Sequence, residues 1–202
     1  MNRLFAAITI ATTSLTLAAC GPADPPKVTE GAWTIDSDAS RVDYVSVKSG
    51  EIAETNEFSL VTGSLSEEGK ATVEIDLASL ETGVDIRNER MRDIFFEIAD
   101  HPKAIVTADI DPRAYEFLEV GNNTIETVKG TLSVKGVETN IEADVNVTRT
   151  GPDRVTVVTN KPVIVMADAL ELTGGLAQLQ EIAGLPSITP AVPVTFSLAF
   201  KR

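Results

Sequence analysis

The sequence predicts an all-β protein, an antiparallel barrel or sandwich of about eight to ten strands with two short helices. Three observations carry that reading. Apolar and polar residues alternate with period two in Thr72–Leu77, Ile141–Val147 and Val192–Phe200, so each segment has one face to bury and one to wet, as antiparallel strands do. The intervals between strand candidates carry glycine in turn contexts, at Glu67-Glu68-Gly69-Lys70, Val134-Lys135-Gly136-Val137 and Thr150-Gly151-Pro152-Asp153. Only two segments break the rhythm with a helical period.

Residues 1–19 read as an export signal: basic Arg3, an apolar run from Leu4, then small and aliphatic residues to Ala19 with no acid among them. The run is too short and too rich in Thr and Ser for a membrane span, which takes about 20 apolar residues. Leu17-Ala18-Ala19-Cys20 resembles the lipobox of bacterial lipoproteins, in which the cysteine sulfur receives a diacylglyceryl group and the chain is cut before it. That resemblance implies an acylated Cys20 and a membrane anchor, because two or three acyl chains make an effectively permanent tether. Gly21 after the cysteine, where inner-membrane lipoproteins tend to have Asp, favours the outer membrane; the expected location is the periplasmic face of a bacterial membrane. Residues 20–32, rich in Pro and Gly, form a semi-extended linker. Residues 33–202 are one domain. Cys20 is the only cysteine, so no internal disulfide braces it.

Within the domain, further strands are expected at Arg41–Lys48, Phe58–Ser66, Ala104–Asp111, Ile125–Lys135, Arg154–Asn160 and Pro162–Met166. Asp85–Ala99 places Met91, Ile94, Phe95 and Ile98 on one helical face, and Asp168–Ala183 does the same with Leu172, Leu176, Leu179 and Ala183; Gly174-Gly175 is a weak point in the second. Such helices either pack on the sheet or cap a barrel mouth.

Charge and inventory exclude several functions. The formal net charge is −13, and removal of residues 1–19, which hold Arg3 and no acid, takes it to −14. Such a domain is repelled by polyphosphates, and no basic stripe with interleaved aromatics offers a nucleic-acid surface. His101 is the only histidine, which rules out sites built from several, and the common zinc, nucleophile and phosphate-loop motifs are missing. His101 lies in Asp100-His101-Pro102, a helix-exit context suited to satisfying the last carbonyls. Arg87, Arg90 and Arg92 read as a solvated helix face, with contact to a ligand phosphate or quinone head group as the alternative. No catalytic, metal-binding or cofactor-requiring site is expected.

An ordered set of short motifs then resembles the YceI-like family of lipid- or polyisoprenoid-binding proteins: Trp33-Thr34-Ile35-Asp36 with Ser40; Val61-Thr62-Gly63; Ile75-Asp76-Leu77-Ala78-Ser79-Leu80-Glu81-Thr82; Arg87 to Arg92; Phe95-Phe96; Pro102; and Val128-Lys129-Gly130 through Gly136-Val137. The resemblance implies a lipocalin-like, eight-stranded antiparallel barrel, exported, with an apolar tunnel that in some members holds an isoprenoid chain. Two motifs depart from the family: Ala39 stands before Ser40 where many members have His, and Val165-Met166-Ala167-Asp168-Ala169-Leu170 replaces an Arg-Asp-Phe-Gly-like segment. Both fall at the polar end of the implied pocket.

A barrel of about eight strands has room for side chains or for one slender ligand. This chain has only seven Phe, one Trp and two Tyr and is rich in Val, Ala, Ile and Leu, so a narrow bore can stay open. The inward faces expected to bind a ligand are Val73, Ile75 and Leu77; Val106, Ala108 and Ile110; Leu132 and Val134; Ile141, Ala143 and Val145; and Val194, Phe196 and Leu198, with Met91, Phe95 and Phe96 at the mouth. The expected function is a tethered carrier of an isoprenoid, quinone or other long-chain amphiphile. The alternatives are a solid-cored structural protein that binds an envelope or respiratory membrane protein, and an enzyme acting on such a lipid.

Overall fold

The computed structural model describes residues 27–202; residues 1–26, with the signal, Cys20 and most of the linker, lie outside the described residues. The strands are β1 (Trp33–Ile35), β2 (Arg41–Lys48), β3 (Ile52–Phe58), β4 (Val61–Leu65), β5 (Lys70–Asp76), β6 (Leu80–Glu81), β7 (Lys103–Asp109), β8 (Asn123–Val134), β9 (Val137–Gly151), β10 (Arg154–Thr159), β11 (Val163–Met166) and β12 (Ala191–Lys201). All pairings are antiparallel.

Several of these segments are halves of one bent strand. β1 and β2 both pair with β12 and are separated by a short 3₁₀ turn, and β5 and β6 are separated by another at Leu77–Ser79; β3 runs into β4 across Ser59 and Leu60, and β10 and β11, split at residues 160–162, both pair with β12. Counted so, eight strands run up and down in chain order, and β12 returns to β1 through Thr34↔Lys201 and Ile35↔Phe200. The sheet therefore closes on itself, which removes its edges. The bends have visible causes. At the first, the Ser40 hydroxyl donates to the Asp36 carbonyl at 2.8 Å and accepts from the Ala199 N–H at 2.9 Å, pinning the corner to β12. At the break between β5 and β6, the Asp76 carboxylate accepts from the Ala78 N–H at 2.8 Å.

The up-and-down order puts every connection at one of two ends. The lower end holds the chain entry and exit and the loops before β5, β8 and β10. The upper end holds the β2–β3 and β8–β9 hairpins and the two helical connections. The β8–β9 hairpin turns on Lys135 and Gly136, with φ of 53° and 78°, the paired positive values of the tight turn whose twist matches the strands.

Both helices lie at the upper end, as expected, though each differs from a plain helix. The first is α-helical over α1 (Asp85–Arg90) and π-helical over Met91–Phe96. The wider turn brings the adjacent Phe95 and Phe96 both inward, with rings 4.8 Å apart and edge to face, which a 3.6-residue period cannot do. The second begins after a 3₁₀ turn at Asp168–Leu170 and forms α2 (Thr173–Ile182). Its Gly175 is a contact point rather than a weak one, since a Cβ there would lie 3.1 Å from Phe95 Cδ2.

Two expectations need correction. The predicted strand Phe58–Ser66 contains all of β4 but only the last residue of β3, and the strand that begins at Ile52 is the one the alternation does not show. The helix-exit hydrogen bond expected of His101 comes from its backbone, whose N–H donates to the Glu97 carbonyl at 3.0 Å, while the side chain acts on the Glu97 carboxylate through charge.

Candidate functional site

Closing eight strands around small aliphatic side chains leaves the interior partly empty. A cavity of about 490 Å³ runs along the barrel from Val28, Thr29 and Tyr115 at the lower end to Lys48, Arg87, Arg90 and α2 at the upper end, a size within the range of small-molecule sites. The strand residues that line it occupy alternate positions: Val106 and Ala108 on β7, Leu132 and Val134 on β8, Ile141, Ala143 and Val145 on β9, and Val194, Phe196 and Leu198 on β12. The remaining expected positions, Val73, Ile75, Leu77, Ile110, Met91, Phe95 and Phe96, line it too. Phe95 and Phe96 are buried in the wall, where Phe96 meets Phe58 edge to face at 5.9 Å.

Small side chains leave the bore open at its middle. Ala108 pairs with Gly130 across β7 and β8, and a Cβ at Gly130 would sit 2.7 Å from the Thr107 carbonyl oxygen, so this rung admits no larger residue on β8. Below, Trp33 is buried; its Nε1–H donates to the Val28 carbonyl at 3.0 Å and the Arg202 guanidinium covers its ring at 4.4 Å. Arg149, also buried, donates to the carbonyls of Leu118 and Pro152, each at 3.1 Å. The lower end is thus held by charge-assisted bonds to backbone.

The upper end holds polar side chains that periodicity alone does not reveal. β3 turns Glu54 and Asn56 toward the bore, and β2 faces them with Tyr44, Ser46 and Lys48. Glu54 Oε2 lies 2.6 Å from Arg87 Nη1 and 2.9 Å from Lys48 Nζ. Arg87 also donates through Nε to the Thr82 hydroxyl at 2.9 Å and through Nη2 to the Thr82 carbonyl at 2.6 Å, and the buried Asn88 accepts from the Thr82 N–H and hydroxyl. Arg87 is therefore a fixed internal group and not part of a solvated face. Arg92 turns away from the bore, to the Leu80 carbonyl at 2.6 Å. Asn56 is buried and donates to the Ser46 hydroxyl at 3.1 Å, while its Oδ1 has no partner among the described residues. Burial pushes the Tyr44 hydroxyl well above its ordinary pKa, against the opposing charge of Arg87, so it is neutral and able to donate.

Burial also pushes the Glu54 carboxyl up, but the hydrogen bonds from Lys48 and Arg87 and their charges outweigh it, and its pKa lies below the ordinary 4.5. A carboxylate lowered in the folded state stabilises the protein above its unfolded value, and that contribution is lost as pH falls. Glu54→Gln is expected to cost stability near about pH 7, with the difference from wild type closing as pH drops below 4.5; urea midpoints at the two ends of that range measure it. A difference that stays constant would show that Glu54 is not held as an ion by this pair of cations.

No group of three or more His, Cys, Asp or Glu residues able to hold a metal is found among the described residues. Among them, too, no helix is long and apolar enough to cross a membrane.

Comparison with known proteins agrees with this architecture. A search of curated proteins found no match. Among solved structures, a polyisoprenoid binding domain from Saccharophagus degradans implicated in plant cell wall breakdown is similar at 36% identity with a TM-score of 0.81, covering 84% of this chain and 97% of that one. Burkholderia cenocepacia BcnA shares the fold at 19% identity and a TM-score of 0.59, covering 82% of this chain and 98% of that one. The sequence profile of the YceI-like domain matches residues 33–200, from the tryptophan that closes the lower end to the strand that closes the ring, and the chain belongs to the YceI-like family.

Proposed function

We propose that this protein binds the apolar chain of an isoprenoid or another long-chain amphiphile in its barrel, and does so as an exported lipoprotein held to a bacterial membrane through acylated Cys20. The observation that carries the first half is the cavity of about 490 Å³ walled by Val, Ala, Ile and Leu along the barrel. Each methylene moved from water into such a bore contributes roughly 0.8 kcal/mol, so affinity grows with chain length and needs few polar contacts. The 36% identical relative, described as a polyisoprenoid binding domain, supports the same cargo class. The open bore disfavours a solid-cored structural role, and the lack of a nucleophile–base constellation along its walls favours binding over turnover. The second half rests on the lipobox-like Leu17-Ala18-Ala19-Cys20. Its outer-membrane placement rests on Gly21.

The experiment is mass spectrometry of an organic extract of the protein purified without denaturation from its native envelope, with a Cys20→Ser form separating cargo from anchor. A stoichiometric prenyl or acyl species present in both forms establishes the cargo; an empty extract from folded protein overturns the carrier reading. A diacylglyceryl adduct on Cys20 in the native form alone establishes the anchor.

A further inference from the structure

The two ends of the bore differ in charge, and the difference runs against the molecule as a whole. The chain is strongly acidic, at −13, yet the upper end of the cavity is lined by three cations, Lys48, Arg87 and Arg90, and by one carboxylate, Glu54. Lys48 and Arg87 bind the same Glu54 oxygen, so the three together keep one positive charge. Arg90 adds a second: its guanidinium has no hydrogen bond or ion pair among the described residues. Arg87 cannot turn to a ligand without giving up Thr82 and Glu54, whereas Arg90, half-buried one helical turn further along, is free to do so.

Two uncompensated positive charges at the mouth of a low-dielectric bore focus a field on whatever head group sits there. An oxyanion gains charge-assisted hydrogen bonds from Arg90, and a neutral head group gains much less. The geometry points to an anionic amphiphile as the ligand, its apolar tail in the bore and a phosphate or carboxylate at the upper mouth in contact with Arg90. The inference rests on the lipid-binding reading above and adds the chemistry of the head group, which excludes an uncharged quinone or free alcohol as the preferred cargo.

The test is displacement of Nile red from the full chain carrying Cys20→Ser, at low ionic strength, by farnesyl phosphate, palmitate and farnesol. At least one of the two anions is expected to displace the dye at concentrations about tenfold below farnesol, and which one does so tells phosphate from carboxylate. Arg90→Gln is expected to close that gap and Arg90→Lys to keep part of it, with Lys129→Gln, an exposed cation on the outer face of β8 and not among the cavity-lining residues, leaving it as in wild type. Farnesol matching or surpassing both anions overturns the head-group assignment while the lipid-binding reading stands. A gap that survives Arg90→Gln overturns the role of Arg90. Failure of all three compounds to displace the dye overturns the lipid-binding reading and this inference with it.

Discussion

Replacing Ala108 by Trp is expected to abolish binding of a long-chain lipid while leaving a folded barrel. Ala108 lies on β7 opposite Gly130 of β8, at a rung where both walls carry the smallest side chains, and it lines the cavity. It is only half-buried, because part of its surface faces the open bore, so an indole there has space to enter and fills the path of the tail. Overpacking a filled core costs about 1–3 kcal/mol; an empty bore asks less. Ala143, by contrast, is 6% exposed, and Trp there is expected to lose stability as well as binding. Thermal unfolding followed beside lipid displacement separates the two effects. A cooperative melt with unchanged binding in Ala108→Trp would show that the tail does not run through this rung.

Leu77→Ala is expected to lower stability by about 2–5 kcal/mol, and the melting temperature by on the order of 10 °C. Leu77 is 1% exposed and sits where β5 bends into β6, its N–H bonded to the Pro102 carbonyl at 3.0 Å and its side chain among the buried residues that join the helical cap to the barrel. Nothing mobile is at hand to refill the space. Val73→Ala, four residues earlier on β5, removes a smaller side chain that is only half-buried on the bore wall, where Leu77 is fully buried, and its expected cost is much smaller, below about 1.5 kcal/mol. Similar losses at the two positions would mean that the interior around Val73 is as tightly packed as that around Leu77, and that no bore exists there.

These two substitutions mark how far the sequence could be read. Inward positions on β5, β7, β8, β9 and β12 are legible because a strand with one buried face alternates with period two, and no neighbour is needed to see it. The β8–β9 hairpin is legible because Lys135-Gly136 supplies the turn conformation locally. β3 was not legible, since it carries Glu54 and Asn56 on its inner face, and an inward polar residue erases the alternation that identifies a strand. The same cause hid the polar end of the site: Glu54, Asn56, Tyr44 and Thr82 come together only when β2 and β3 pair and the first helix folds over them. Arg87, Arg90 and Arg92 look alike in a helical period. In the folded chain one is locked to Thr82 and Glu54, one is free at the bore, and one turns to Leu80.

By itself the sequence determined an antiparallel β protein, the side of most strands that faces inward and the place of both helices, because these follow from local periodicity and turn chemistry. Closure into a barrel with a bore was implied by the family resemblance and by no local pattern; the tertiary structure shows the sheet closing as β12 meets β1 around an open bore, and it alone decided that one end of that bore is positive. Closure, free volume and charge balance are set by groups far apart in the chain, such as Thr34 and Lys201 or Glu54 and Arg87, and no local pattern records which of them will meet.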